Sequence, residues 1–123
     1  MRRYEAVLLD VDGTLVDSND AHAHAWVETL AERGHELALS RAKSLIGMGG
    51  DKLIELVTGL PVGSKENERI SRYRSELFRE KWLRAVRPLI GSLELVLRLR
   101  AEGYQLAIAI AAKDEELAPL LDI

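Results

Sequence analysis

Val7-Leu8-Leu9-Asp10-Val11-Asp12-Gly13-Thr14 is the stretch that decides how this chain folds. Ala6 to Leu9 is a short apolar run, cut off by two aspartates. Such a run reads as a strand buried on both faces, as in a parallel sheet. Gly13 then marks a sharp turn. Ligands of open parallel sheets bind beyond the carboxyl ends of the strands, and Asp10 sits at such an end. Residues two apart in extended chain share a face, so Asp10 and Asp12 are expected to point toward one site. Two neighbouring carboxylates repel, and a cation relieves the repulsion. Mg2+ suits the position because it takes oxygen ligands, keeps several waters and works beside phosphate. A carboxylate can also be a nucleophile that forms an aspartyl phosphate. The second carboxylate can then give and take the protons. Gly13 and Thr14 lie where backbone N–H groups and a hydroxyl could hold a phosphate. On two aspartates and a glycine alone, a plain polar turn is an equal reading. A calcium loop is opposed by the strand-like Ala6 to Leu9, because that loop needs a helix on each side.

Beyond the turn the pattern becomes helical. Ala21, Ala25 or Trp26, and Leu30 fall at helix spacing from about Ser18, and Gly34 is placed to cap the end. Ser40 is expected to N-cap a short helix through Ile46. Gly47-Met48-Gly49-Gly50 is a flexible break, followed by a helix over Asp51–Thr58. Ser64 is expected to cap a long helix that ends before Arg87-Pro88. Its arginines, interleaved with Glu76 and Glu80, read as a solvated face. Leu93, Val96 and Leu97 lie on the next helix, closed by Gly103. Leu106-Ala107-Ile108-Ala109-Ile110-Ala111 is a second apolar run, read as a second buried strand, and Lys113 begins another helix. Strands alternating with helices imply an α/β fold with a parallel sheet. The helical block of about 70 residues is far too long for a simple crossover and reads as an inserted cap. The expected division is an α/β core from 1–16 and 88–123, with an all-α cap from 17–87. Two parallel strands cannot cover their own apolar faces, so a truncated chain or a partner that completes the sheet is expected.

Composition narrows the function classes. The chain has 123 residues, 47% hydrophobic and 30% charged, an ordinary balance for a folded domain. A net charge of −3 gives no general attraction to nucleic acid or to an anionic membrane. The sequence has no cysteine, which excludes disulfides, thiolate catalysis and Cys-ligated zinc. No run approaches the roughly 18 apolar residues of a membrane span, and no targeting segment is evident. A cytoplasmic location is expected.

The longer segment from Val7 to Ser18 resembles the first motif of the haloacid dehalogenase (HAD) superfamily, an apolar strand followed by Asp-x-Asp-Gly-Thr. The resemblance implies a Rossmann-like core. It implies Asp10 as nucleophile and Mg2+ ligand, and Asp12 as general acid/base with its backbone carbonyl also on the metal. Asp17-Ser18 and Arg87-Pro88-Leu89-Ile90-Gly91 look like the two hinges of a helical cap. Asp17 to Trp26 is similar to the cap entrance of the β-phosphoglucomutase-like and phosphoglycolate phosphatase-like branch, where a histidine at the place of His22 often faces the site. An exposed helix histidine is the other reading of His22. His24, two residues on, points elsewhere, and Trp26 reads as cap core. Gly47 to Lys52 resembles the loop that lowers over the substrate. Lys52 either meets a substrate anion or is simply solvated.

The second motif departs from the family. Its Ser or Thr falls on Ile110, which has no hydroxyl, leaving the N–H of Ala111 as the remaining phosphate donor there. The third and fourth motifs, a Lys and an acidic pair, have no match within 123 residues. The resemblance therefore implies a Mg2+-dependent phosphatase of a small phosphorylated metabolite, with this chain alone inactive or nearly so. A sugar phosphomutase shares the same chemistry. A non-catalytic relative that keeps only a phosphate or Mg2+ site is the reading from another class. A metal-free dehalogenase fits Asp12 and Gly-Thr less well. No nucleic-acid or membrane partner is expected. The oligomer is expected to be a monomer or homodimer, possibly paired with a missing second half.

Overall fold

Ala6–Leu9 forms strand β1, and its parallel partner β4 is Gln105–Ile108. The register pairs Ala6 with Gln105 and Leu9 with Ile108. The coordinates are a computed structural model that describes residues 3–109. Ile110, Ala111 and the helix expected from Lys113 lie outside the described residues. Between the two strands run α1 (Asn19–Glu32), α2 (Leu39–Leu45), α3 (Gly50–Thr58) and α4 (Lys65–Leu77). The chain then makes a π-helical turn at Phe78–Trp82 and a 3-10 turn at Leu83–Ala85. Helix α5 (Ser92–Ala101) leads into β4. The α/β class and the parallel pairing match the sequence reading.

Two short strands were not foreseen. β2 (Val16–Asp17) and β3 (Arg87–Pro88) pair antiparallel, and the Leu89 N–H donates to the Leu15 carbonyl at 2.9 Å. They tie together the points where the chain leaves for the helical block and returns from it. Two-residue strands carry too little pattern to be seen in sequence.

Two apolar clusters hold the chain. One joins α1 to α2, α3 and α4 through Trp26, Leu30, Ala42, Leu53, Ile54 and Ile70. Trp26 is a core residue there, as expected. The other gathers Val11, Val16, Ala21, Ala25, Phe78 and Val86 around the turn after β1. Helix α1 serves both, because its faces at Ala21/Ala25 and at Trp26/Leu30 differ in direction. Asn67 stitches the block further, its Nδ2 donating to the carbonyls of Asp51 (2.9 Å) and Leu60 (3.1 Å). Ser64 caps α4 as expected, its Oγ accepting the Asn67 N–H at 3.3 Å.

Several expectations are corrected. Helix α2 starts before Ser40, with Ala38 as the capping residue and no side-chain cap bond. The first turn is instead closed by the Ala42 N–H on the Ala38 carbonyl, 2.9 Å. The long helix is not continuous, because the π-helical turn interrupts it after Leu77. β1 is not buried on both faces: Leu8 is 73% exposed while Leu9 is buried. That exposure agrees with a two-stranded sheet that cannot cover itself. An apolar hollow of about 330 Å³ opens between the sheet and α5, lined by residues such as Leu9, Val11, Val96 and Leu106.

Candidate active site

The site is built on Val11. Its side chain is fully buried, and its carbonyl accepts the N–H groups of Thr14 (3.1 Å), Leu15 (2.9 Å) and Val16 (3.1 Å). Anchoring Val11 inward turns its two neighbours outward, since side chains alternate along extended chain. Asp10 is accordingly exposed and Asp12 only partly covered. The turn needs Gly13, whose φ is +74°. A Cβ there would lie 2.5 Å from the Asn19 Nδ2. Thr14 donates its hydroxyl to Asp10 Oδ2 at 3.3 Å.

The N–H groups expected to hold phosphate are engaged elsewhere. The Gly13 N–H donates to the Val16 carbonyl at 2.8 Å, and the Thr14 N–H to Val11. Both bonds close the turn itself. The outward-facing polar groups of this segment are thus the Asp10 carboxylate and the Thr14 hydroxyl.

Asp12 has a more enclosed setting. Ser18 donates its hydroxyl to Asp12 Oδ1 in a short bond. His22 Nε2 lies 2.9 Å from the same oxygen. Behind the ring, Arg74 Nη1 sits 3.1 Å from His22 Nδ1. The imidazole stacks flat on Phe78, with centroids 4.1 Å apart and planes 6° off parallel. The Arg74 guanidinium lies over Trp26 at 4.8 Å and over Phe78 at 5.9 Å. Burial by itself pushes the Asp12 carboxyl up. The hydrogen bond from His22 and the electrostatic attraction of that ring, then the hydrogen bond from Ser18 and the charge of Arg74, outweigh it and hold the carboxyl below its ordinary value. Asp12 therefore rests as a carboxylate.

His22 is buried and faces Asp12, so the exposed-histidine reading does not hold. His24 points elsewhere, as expected, and stacks on Trp82 at 4.6 Å. Gly47, with φ +103°, and Lys52, in the first turn of α3, are both exposed. No hydrogen bond or ion pair among the described residues ties either to Asp10 or Asp12. Ala111 lies outside the described residues. Sequence reasoning missed Ser18, Arg74 and Phe78. Arg74 was read as part of a solvated face, yet it is only 8% exposed. Its spacing carried a signal: Ile70, Arg74 and Phe78 fall four apart on one helical stripe.

Asp10 and Asp12 offer hard oxygen donors at a strand end. Among the described residues, no group of three or more His, Cys, Asp or Glu is assembled to hold a metal. Two carboxylates fit a divalent cation that keeps most of its water, rather than one needing a full protein cage.

Comparison with known proteins bears on the family of the chain. The chain is 32% identical over 109 residues to a Dickeya dadantii protein named Probable phosphatase IndB, covering 84% of this chain and 46% of that protein. It is 26% identical over 87 residues to the fructose-1-phosphate phosphatase YqaB of Escherichia coli K12, covering 71% and 46%. The crystal structure of a hydrolase from Pseudomonas syringae superposes with a TM-score of 0.83 at 29% identity, covering 95% of this chain and 53% of that one. The chain thus spans about half the length of the curated relatives it matches. The family described as haloacid dehalogenase-like hydrolase matches residues 7–122, and the chain belongs to that family.

Proposed function

We propose that the protein is a Mg2+-dependent phosphatase of a small phosphorylated metabolite, with Asp10 as its nucleophile. The observation that carries the reading is the exposed Asp10 carboxylate at the end of β1, beside a half-covered Asp12 held as a carboxylate. The named substrate of one relative, fructose 1-phosphate, supports a sugar or similarly small ester. Residues 17–87 are read as a cap domain hinged on the β2–β3 ribbon, with Gly47 and Lys52 on the loop that reaches the substrate. Location in the cytoplasm belongs to the same reading. Among the described residues no helix is long and apolar enough to cross a membrane.

In the first half-reaction an Asp10 oxygen attacks the phosphorus and the ester oxygen leaves. The leaving alkoxide takes a proton from Asp12, which must first acquire one. In the second half-reaction Asp12, again a carboxylate, removes a proton from water as that water attacks the aspartyl phosphate. Asp10 is regenerated and inorganic phosphate departs. Thr14 orients the Asp10 carboxylate through its hydroxyl. Asp10 and the Asp12 segment would hold Mg2+, which neutralises phosphate charge when bound. The activity is assigned to the whole protein. The 123-residue chain alone is expected to turn over poorly, because it has no match to the family's third and fourth motifs, a Lys and an acidic pair, and because Ile110 offers no hydroxyl to the phosphoryl group.

The test is a panel of small phosphate esters assayed with Mg2+ on the whole protein. Hydrolysis that Asp10→Asn abolishes is the expected result. Undiminished hydrolysis by Asp10→Asn would overturn the assignment. Asp10-dependent binding of BeF3−, a phosphoryl mimic, is a second expected result.

A further inference from the structure

We propose that Arg74 is a positioning residue: it acts from the far side of the ring, together with Asp12, to lock His22 as the Nε2–H tautomer and so keep the ring a hydrogen-bond donor to Asp12 Oδ1. Guanidinium has five N–H donors and no acceptor. With Arg74 Nη1 at 3.1 Å, His22 Nδ1 must therefore present its lone pair. The ring proton is then on Nε2, 2.9 Å from the Asp12 oxygen. A carboxylate accepts and does not donate, so the other tautomer would set two lone pairs against each other.

The ring cannot escape this arrangement by turning over. A flip exchanges nitrogen for carbon at both positions, and both hydrogen bonds would be lost. The stack on Phe78 fixes the ring plane. His22, Arg74 and Phe78 are all buried, so water does not replace a lost bond. Arg74 is itself held over the faces of Trp26 and Phe78.

The consequence falls on Asp12. Ser18 and His22 both donate to Oδ1. Among the described residues Oδ2 carries no hydrogen bond, and it is the oxygen left to exchange a proton with substrate or water. That functional consequence rests on the phosphatase reading. The tautomer does not: it is a property of the folded chain.

The test is 15N NMR of the intact, 15N-histidine-labelled protein at about pH 8, where a free imidazole is deprotonated. His22 is assigned as the signal pair that His22→Gln removes. The expected pattern is an unprotonated Nδ1 and a protonated Nε2. Arg74→Met leaves Asp12 alone to select the tautomer, and is expected to shift the pattern part of the way toward an averaged mixture. Arg74→Lys, also donor-only, is expected to restore it. A protonated Nδ1 in the wild type, or a pattern unmoved in Arg74→Met, overturns the proposal. If Arg74→Met does not fold, the wild-type pattern and Arg74→Lys decide it. On the active enzyme, Arg74→Met is expected to lower kcat about 10–100-fold with little change in KM, as for residues that orient a functional group. A protein with no esterase turnover but the expected nitrogen pattern would sink the phosphatase reading and leave this one standing.

Discussion

His22 Nε2 lies 2.9 Å from Asp12 Oδ1, across ten residues of chain and a change from strand end to helix. The bond makes the Asp12 carboxylate answerable to helix α1. Through Arg74 it is answerable to α4 as well. A displacement of the helices against β1 would strip Asp12 of a donor and change its proton affinity.

That dependence has a pH signature. The Asp12 carboxyl is held below its ordinary value of 3.8. A depressed carboxyl stabilises the fold in full above the unfolded value and loses the contribution as pH falls through the folded one. Stability is therefore expected to decline from about pH 4 downward. Asp12→Asn should flatten this acid limb. Urea midpoints measured at intervals between about pH 6 and pH 3 check it. An equally steep acid limb in Asp12→Asn would count against the assignment.

Asp10 is exposed, so little of the fold rests on it, and under the proposed function its role is chemical. Asp10→Asn is expected to leave stability within about 0.5 kcal/mol of wild type. In the whole enzyme it should lower kcat by about 10⁴-fold, the scale seen when a catalytic residue is removed. Thermal melts and steady-state kinetics on the same preparation separate the two effects.

Phe78 is fully buried, touches the second apolar cluster and carries the His22 ring. Phe78→Ala is expected to cost about 3–5 kcal/mol, the range for large-to-small core changes. Phe78→Leu should cost less and still lose the flat stack. Denaturant unfolding gives the first figure, and the His22 nitrogen signals report the second.

Gly13 has two reasons to stay glycine: a left-handed φ of +74° and Asn19 Nδ2 at 2.5 Å from any added Cβ. Gly13→Ala is expected to destabilise by more than about 1 kcal/mol. Adding Asn19→Ala relieves the clash but not the backbone strain, so recovery should be partial. A double-mutant cycle by chemical denaturation measures the split.

The strand end was readable because it is a contrast: apolar Ala6 to Leu9 broken by Asp10 and Asp12. The helices were readable by period, and α4 by its Ser64 cap. Arg74 was not. Among Arg69, Arg72 and Arg79 it looks like another solvated cation. His22, 52 residues earlier, and two aromatic faces help receive it in its buried place. Long-range partners of that kind leave no local mark. The spent N–H groups of Gly13 and Thr14 were hidden for a similar reason, since the hydrogen bonding of a turn depends on its dihedral angles.

The wide turn from Phe78 to Trp82 makes helix length itself a coded quantity. A π-helical turn holds an extra residue relative to an α-turn. Deleting Arg79, an exposed residue, would let the segment close as an ordinary α-turn, and the chain after it would keep nearly its present direction. Trp82 would stay close to His24, and Arg87–Pro88 would keep its pairing with Val16–Asp17. A one-codon deletion within regular α4 would instead rotate everything after it by about 100°: the wide turn is the one stretch of this helix that tolerates a change of count.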